Sequence, residues 1–183
     1  GRISSTSLAT VAPAGSAGQI LIQGQSGIGS YAQTVTLDNS AISASANGGQ
    51  GGTIEIKASN LDLRNGSRVL ASSQGNNNAG GITLTSDDKI GIANSTVSTL
   101  AGQASGGSIL FKAPLVSLND NAVVTGARIQ IEASGETPVA ASVWASSFSW
   151  WGNTRSRPPP WTSKVSPSRA RLMAEHSMCQ PGR

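Results

Sequence analysis

Apolar residues in this chain fall into short alternating runs, and the runs recur. One phrase has the form small-Gly-x-apolar-x-apolar-x-small or a near variant: AGQILIQG at 17–24, GGTIEIKA at 51–58, AGGITLTS at 79–86 and GGSILFKA at 106–113, with a shortened copy, GARIQIEA, at 126–133. The leading apolar residues are Ile20, Ile54, Ile82, Ile109 and Ile129, separated by 34, 28, 27 and 20 residues. A second phrase follows each of the first four: TVTLDNSAISAS at 34–45, NLDLRNGSRVLASS at 60–73, KIGIANSTVSTL at 89–100 and LVSLNDNAVVTG at 115–126. Each holds an alternating pair (Val35/Leu37, Leu61/Leu63, Ile90/Ile92, Val116/Leu118), then Asn, Asp, Ser or Gly, then another apolar position: Ile42, Val69, Val97, and Val123 or Val124. That pattern predicts three short strands per repeat of roughly 27 residues, separated by turns.

Alternation with period two puts Ile54 and Ile56 on one side of a strand and Thr53, Glu55 and Lys57 on the other. Strands of this length are not stable as isolated hairpins. Stacking solves the problem: if each repeat is one turn of a coil, equivalent Ile residues stand about 4.8 Å apart in columns that form the core. Helices do not compete, because β-branched residues and Gly dominate and no apolar stripe of period 3.6 appears. The predicted fold is all-β: a right-handed, single-stranded parallel β-helix of about four to five coils over residues 1–137, followed by an irregular or disordered tail, 138–183.

Asn39-Ser40, Asn65-Gly66, Asn94-Ser95 and Asn119-Asp120 recur after the second strand. Asn tolerates left-handed backbone, and its amide can bond the Asn above and below. Asn39, Asn65, Asn94 and Asn119 are therefore expected to form a structural turn ladder along one edge, the alternative being plain solvent-facing turns. Repeat length varies after the third strand, at SANGGQ, SQGNNNA and AGQAS, and after the first in GQSGIGSYAQ at 24–33. These segments are expected to leave the coil as loops, and a ligand surface that differs from repeat to repeat belongs there or on the outward faces.

Aromatic residues make up 4% of the chain and charged residues 12%, both low for a globule, while Gly, Ser, Ala, Asn and Thr suit tightly turned coils. The net charge of +4 is unevenly spread. Residues 1–137 hold 7 Lys plus Arg and 8 Asp plus Glu, a net of −1, so the repeats are no basic nucleic-acid platform. Residues 138–183 hold 6 against 1, a net of +5, together with all four Trp, both Met, the single His and the single Cys. Without cysteine the repeats leave the redox compartment open. No stretch approaches the roughly 18 apolar residues of a membrane span. No signal peptide opens the chain and Gly1 starts partway through a repeat, so an internal piece of a longer protein is expected.

The succession of GG-x-I-x-I, L-x-L-x-NG-S and I-S-A-S resembles the β-helical exoproteins of two-partner secretion, the filamentous haemagglutinin-like family, and especially their repeat stretches in cyanobacteria. The resemblance covers residues 1 to about 137, and GRISSTS at the start looks like the end of an NG-x-R-I-S-A-S unit. It implies secretion through an outer-membrane transporter and service as a cell-surface adhesin or structural filament, contacting host cells, other bacteria, or matrix glycans and proteins. The family's amino-terminal secretion domain with its Asn-Pro-Asn motif is not in this sequence.

Motifs for chemistry are weak. GIGSYA at 27–32 matches Gly-x-Gly-x-x-Ala, but the strand-like QTVTLDN follows it where a dinucleotide site needs a helix amino terminus. GGQGGT at 48–53 matches a calcium nonapeptide except that Thr53 replaces the Asp ligand. Polysaccharide-cleaving β-helices need clustered carboxylates, with or without a basic residue. Asp62, Asp87, Asp88 and Asp120 with Lys57, Lys89 and Lys112 are the candidates, and Asp87-Asp88-Lys89 is the one dense group, at a turn. Thr34/Thr36 and Thr83/Thr85 fall at different points of the repeat, so no ice-binding Thr row is expected. His176 and Cys179 offer two metal ligands and no second pair. No catalytic, cofactor-binding or metal residue is therefore assigned; an adhesin without catalytic activity is expected, with a carbohydrate-active β-helix enzyme as the alternative.

For the tail four readings stand: a basic, Trp-containing surface patch, a disordered end, a segment out of frame with the repeats, or a cap in which Val143, Trp144, Phe148, Trp150 and Trp151 fold over the open edge.

Overall fold

The computed structural model of the chain describes residues 7–12, 15–133 and 139–151, the first and last of these through their backbone. The described strands join in a single 11-stranded sheet, and every strand pairing is parallel. The sheet is coiled into a solenoid, and its strands stack in three columns.

The first column contains β2 (Gln19–Ile22), the opening halves of β5 (Thr53–Arg64) and β7 (Ile82–Ala93), β9 (Ser108–Ala113), and the end of β10 (Leu115–Ala133). Its register joins Ile20, Ile54, Ile82, Ile109 and Ile129 in one row and Ile22, Ile56, Leu84, Phe111 and Ile131 in the next. The second column takes β3 (Ala32–Asp38), the closing halves of β5 and β7, and the start of β10, aligning Val35, Leu61, Ile90 and Val116 and, two residues on, Leu37, Leu63, Ile92 and Leu118. The third column holds β1 (Ser7–Ala12), β4 (Ala41–Ala46), β6 (Arg68–Leu70), β8 (Thr96–Ser98) and the middle of β10. Its core row is Ile42, Val69, Val97 and Val124, so of Val123 and Val124 it is Val124 that faces inward.

Period-two alternation is what buries these rows, since inward residues of β5 and β7 are fully covered while their neighbours reach solvent. Each covered Ile or Leu contributes roughly 1.5–3 kcal/mol of transfer free energy. The separate short strands expected are in part joined: β5 and β7 run for 12 residues and β10 for 19, bending at corners without breaking. At the first corner of the third level the turn is fastened from inside, because buried Ser86 donates from Oγ to the Ser59 carbonyl at 2.5 Å and accepts from the Asp88 N–H at 3.1 Å.

Entry to the first column depends on glycine. Gly52, Gly80 and Gly107 each lie two residues before a core Ile, and a Cβ on any of them would overlap the carbonyl oxygen of Gly18, Gly52 or Gly80 respectively, one level away. The fifth level carries Ala127 there, whose N–H donates to the Gly107 carbonyl at 3.0 Å.

Beyond the repeats, β11 (Val139–Trp151) lies parallel along β10, opposing Val143 to Val124, Phe148 to Ile129 and Trp150 to Ile131. A strand here differs from the irregular segment expected. The main chain follows the sheet edge offered by β10, an extension that the small residues of VAASVWASSFSWW permit without a strong alternation to announce it. Residues 152–183, and with them Pro158 to Pro160, His176 and Cys179, lie outside the described residues.

Candidate interaction surface

Three corners and three outward faces make up the surface, and the positions singled out in the sequence are distributed among them. At the corner between the second and third columns, Asn39, Asn65 and Asn94 adopt positive φ angles of 46°, 56° and 46°. In the next level the equivalent residue, two after Leu118, is Asp120, with φ 47°, followed by Asn121 at 60°. Asn119 is thus a correction to the predicted ladder: it aligns with Ala93 at the strand end, and its amide donates to Ser117 Oγ at 2.6 Å.

The ladder itself is one of main chain. Gly66 N–H donates to the Asn94 carbonyl at 2.6 Å and Asn94 N–H to that of Asp120 at 2.7 Å, while Arg68, Thr96 and Val123 N–H groups reach back to Ser40, Ser67 and Ser95 at 2.8–2.9 Å. Among the described residues no amide-to-amide hydrogen bond links Asn39, Asn65 and Asn94. Asn65 Nδ2 instead donates to Asp38 Oδ1 at 2.7 Å. That bond, with Arg64 Nε at 3.1 Å from Asp38 Oδ2, holds the Asp38 carboxyl below the usual carboxylate range.

Apart from exposed Arg68, which opens β6 in the third column, the charged side chains of the described residues gather on the first two faces and their corners. Lys57 pairs with Glu55 at 2.8 Å, Lys112 with Glu132 at 3.6 Å, and Arg64 with both Asp38 and Asp62, the latter at 3.6 Å. All are partly or fully exposed pairs, so solvent screens their attraction and they add little to stability. The candidate carboxylates are spread out: Asp62 on the second face, Asp87 and Asp88 at the first corner, Asp120 at the second. Among the described residues no group of three His, Cys, Asp or Glu side chains could hold a metal ion, and no helix is long and apolar enough to cross a membrane. Thr83 and Thr85 stand between Glu55/Lys57 and Leu110/Lys112 on the first face, so their row is not continued.

The variable segments divide into two kinds. Residues 24–31 do leave the coil, between β2 and β3, and their fold is closed locally: Gly24 N–H donates to the Ser30 carbonyl at 2.9 Å and Gly29 N–H to Gln23 Oε1 at 3.0 Å. Gly27 and Gly29 take φ 111° and 85°, leaving Ile28 between them fully exposed, and strand β3 follows directly, with no helix.

The segments after the third strand do not leave the coil, contrary to expectation. They stack on one another as the third corner. Ala17 N–H donates to the Gln50 carbonyl, Gly51 N–H to that of Asn78 and Ala79 N–H to that of Ser105, at 2.9–3.1 Å, and Asn77 Nδ2 donates to the Gly48 carbonyl at 2.8 Å. Buried Ser73 ties the corner inward through the Gly49 carbonyl at 2.8 Å. Glycine allows so tight a stack: a Cβ on Gly75 would stand 3.1 Å from the Gly48 backbone. The lengths of these segments vary, but their backbones remain part of the ladder.

The chain matches no protein-family model, and no curated protein or solved structure is significantly similar to it.

Proposed function

We propose that this chain is a stretch of a secreted bacterial surface protein, an adhesin or structural filament without catalytic activity, displayed outside the outer membrane after passage through a cognate transporter. The observation that carries the reading is the solenoid whose turns, including the variable third corner, are bonded level to level. Such a rod holds many surface groups at fixed spacing, which suits attachment through numerous weak contacts whose strength comes from multivalency. The resemblance of its repeat phrases to filamentous haemagglutinin-like exoproteins supplies the route of export. The spread of Asp62, Asp87, Asp88 and Asp120 over a face and two corners favours attachment over polysaccharide cleavage, which needs carboxylates converging on one bond.

Antibodies raised against the repeats test the proposal on intact cells of the source bacterium. Labelling of unpermeabilised cells, or recovery of the chain from the medium, is expected. Signal confined to the cytoplasm of lysed cells would sink it.

A further inference from the structure

The third corner has a chemical character of its own. The stretches that build it and flank it, 39–54, 69–86 and 90–111, contain no Asp, Glu, Lys or Arg, whereas charges occur on both sides of each. What it presents is amide. Asn47, Gln50, Gln74, Asn76 and Gln103 are exposed on three successive levels, and among the described residues their side chains make no hydrogen bond. Asn77 and Asn78, next to them, are used to bind loop to loop.

Each free amide offers two donors and an acceptor carbonyl, without charge. The backbones beneath are fixed by the inter-level bonds, so these groups are held in place at little further cost in order, the condition under which weak polar contacts add up to binding. A polyanionic ligand would be met by cations, as at phosphate and carboxylate sites, and the corner has none. An apolar ligand would leave the amides unpaired and desolvated. A neutral chain dense in hydroxyl groups satisfies both conditions.

We infer that the amide-lined third corner binds neutral polysaccharide, the glycan chain running along the solenoid axis across the levels of Gln50, Gln74 and Gln103. The inference rests on the reading of the chain as a surface adhesin and names its ligand class. The two fail separately, because surface labelling is indifferent to which glycan is bound.

The test is affinity electrophoresis of the full chain in native gels cast with galactomannan or dextran, with alginate as the charged comparison. Slowed migration in at least one neutral gel, unchanged by added salt, is expected. The variant carrying Gln50→Ala, Gln74→Ala and Gln103→Ala should bind about tenfold more weakly, with the circular dichroism spectrum retained since these amides hold nothing in the fold. Lys57→Ala with Lys112→Ala, on the first face, should migrate as the parent does. If the triple variant does not fold, Gln74→Glu alone, which keeps the size and adds a charge, should weaken retardation in the neutral gel. Unslowed migration in both neutral gels, retardation in alginate alone, or retardation that survives the amide substitutions would overturn the inference.

Discussion

Replacing Asn94 separates two accounts of the second corner. Asn94 has φ 46°, its N–H donates to the Asp120 carbonyl and its own carbonyl accepts from Gly66. Its side-chain amide holds no neighbouring Asn. An L-residue in left-handed backbone is disfavoured by roughly 1–2 kcal/mol, less for Asn than for Ala. Asn94→Ala should therefore destabilise by about 1 kcal/mol, whereas Asn94→Gly, which removes the Cβ penalty but adds unfolded-state freedom, should stay within about 0.5 kcal/mol of the parent. For a chain of this size 1 kcal/mol corresponds to roughly 2–4 °C in Tm. Urea and thermal unfolding followed by circular dichroism measure both. Asp120→Ala should lose as much as Asn94→Ala, and Asn119→Ala should lose less, since its backbone is not left-handed and its amide makes one bond, to the partly buried Ser117 hydroxyl. Equal losses for the Gly and Ala variants at position 94 would refute the backbone account and restore the side-chain ladder; so would an Asn119→Ala cost larger than that of Asp120→Ala.

Gly80→Ala should unfold the chain or cost at least about 2–3 kcal/mol, because its Cβ would occupy the Gly52 carbonyl oxygen. The adjacent Gly81→Ala, whose Cβ would meet nothing closer than Ser108 Oγ at 3.6 Å, should leave the urea midpoint near that of the parent. Asp38 sets a pH dependence: its carboxyl is lowered by the Asn65 amide first and then by Arg64, so it favours the fold in its charged form. That contribution is present above the usual carboxylate pKa and is lost as pH falls through the lower value of the folded state. Comparing melting at neutral pH and below about pH 3, the parent should lose more than Asp38→Asn; identical losses would show the pair to be idle.

The rows of the core were legible because alternation and repeat spacing carry the same information twice: Ile20, Ile54, Ile82, Ile109 and Ile129 share a row although the spacings between them range from 34 to 20 residues. The left-handed corner was legible for Asn39, Asn65 and Asn94 for the reason that Asn is chosen there. It was misplaced at Asn119 because residue type was followed, when counting two on from Leu118 leads to Asp120, another short polar side chain that tolerates the same conformation. The third corner was misread for a different reason. Gly, Ser and Asn mark loops when their backbone bonds to water, and the sequence does not show that Gly49, Gly52 and Gly75 let successive loops come close enough to bond to each other instead. β11 was harder to see because, although Val143, Phe148 and Trp150 pair in register with Val124, Ile129 and Ile131, no Gly-Gly entry phrase precedes them and no Asn-marked corner divides them as in earlier levels.

The direction of the ladder also has a mechanical side. In every column the hydrogen bonds join one level to the next, so they run along the rod, in line with any pull applied between its two ends. Such a load reaches the bonds by peeling, a few at a time, and each level rests on its immediate neighbours alone. A tether built in this way lengthens by uncoiling one turn after another, each releasing 20 to 34 residues of slack, and it limits the tension passed to whatever it holds. Under a pull across the axis the same bonds would be sheared together and resist as a block.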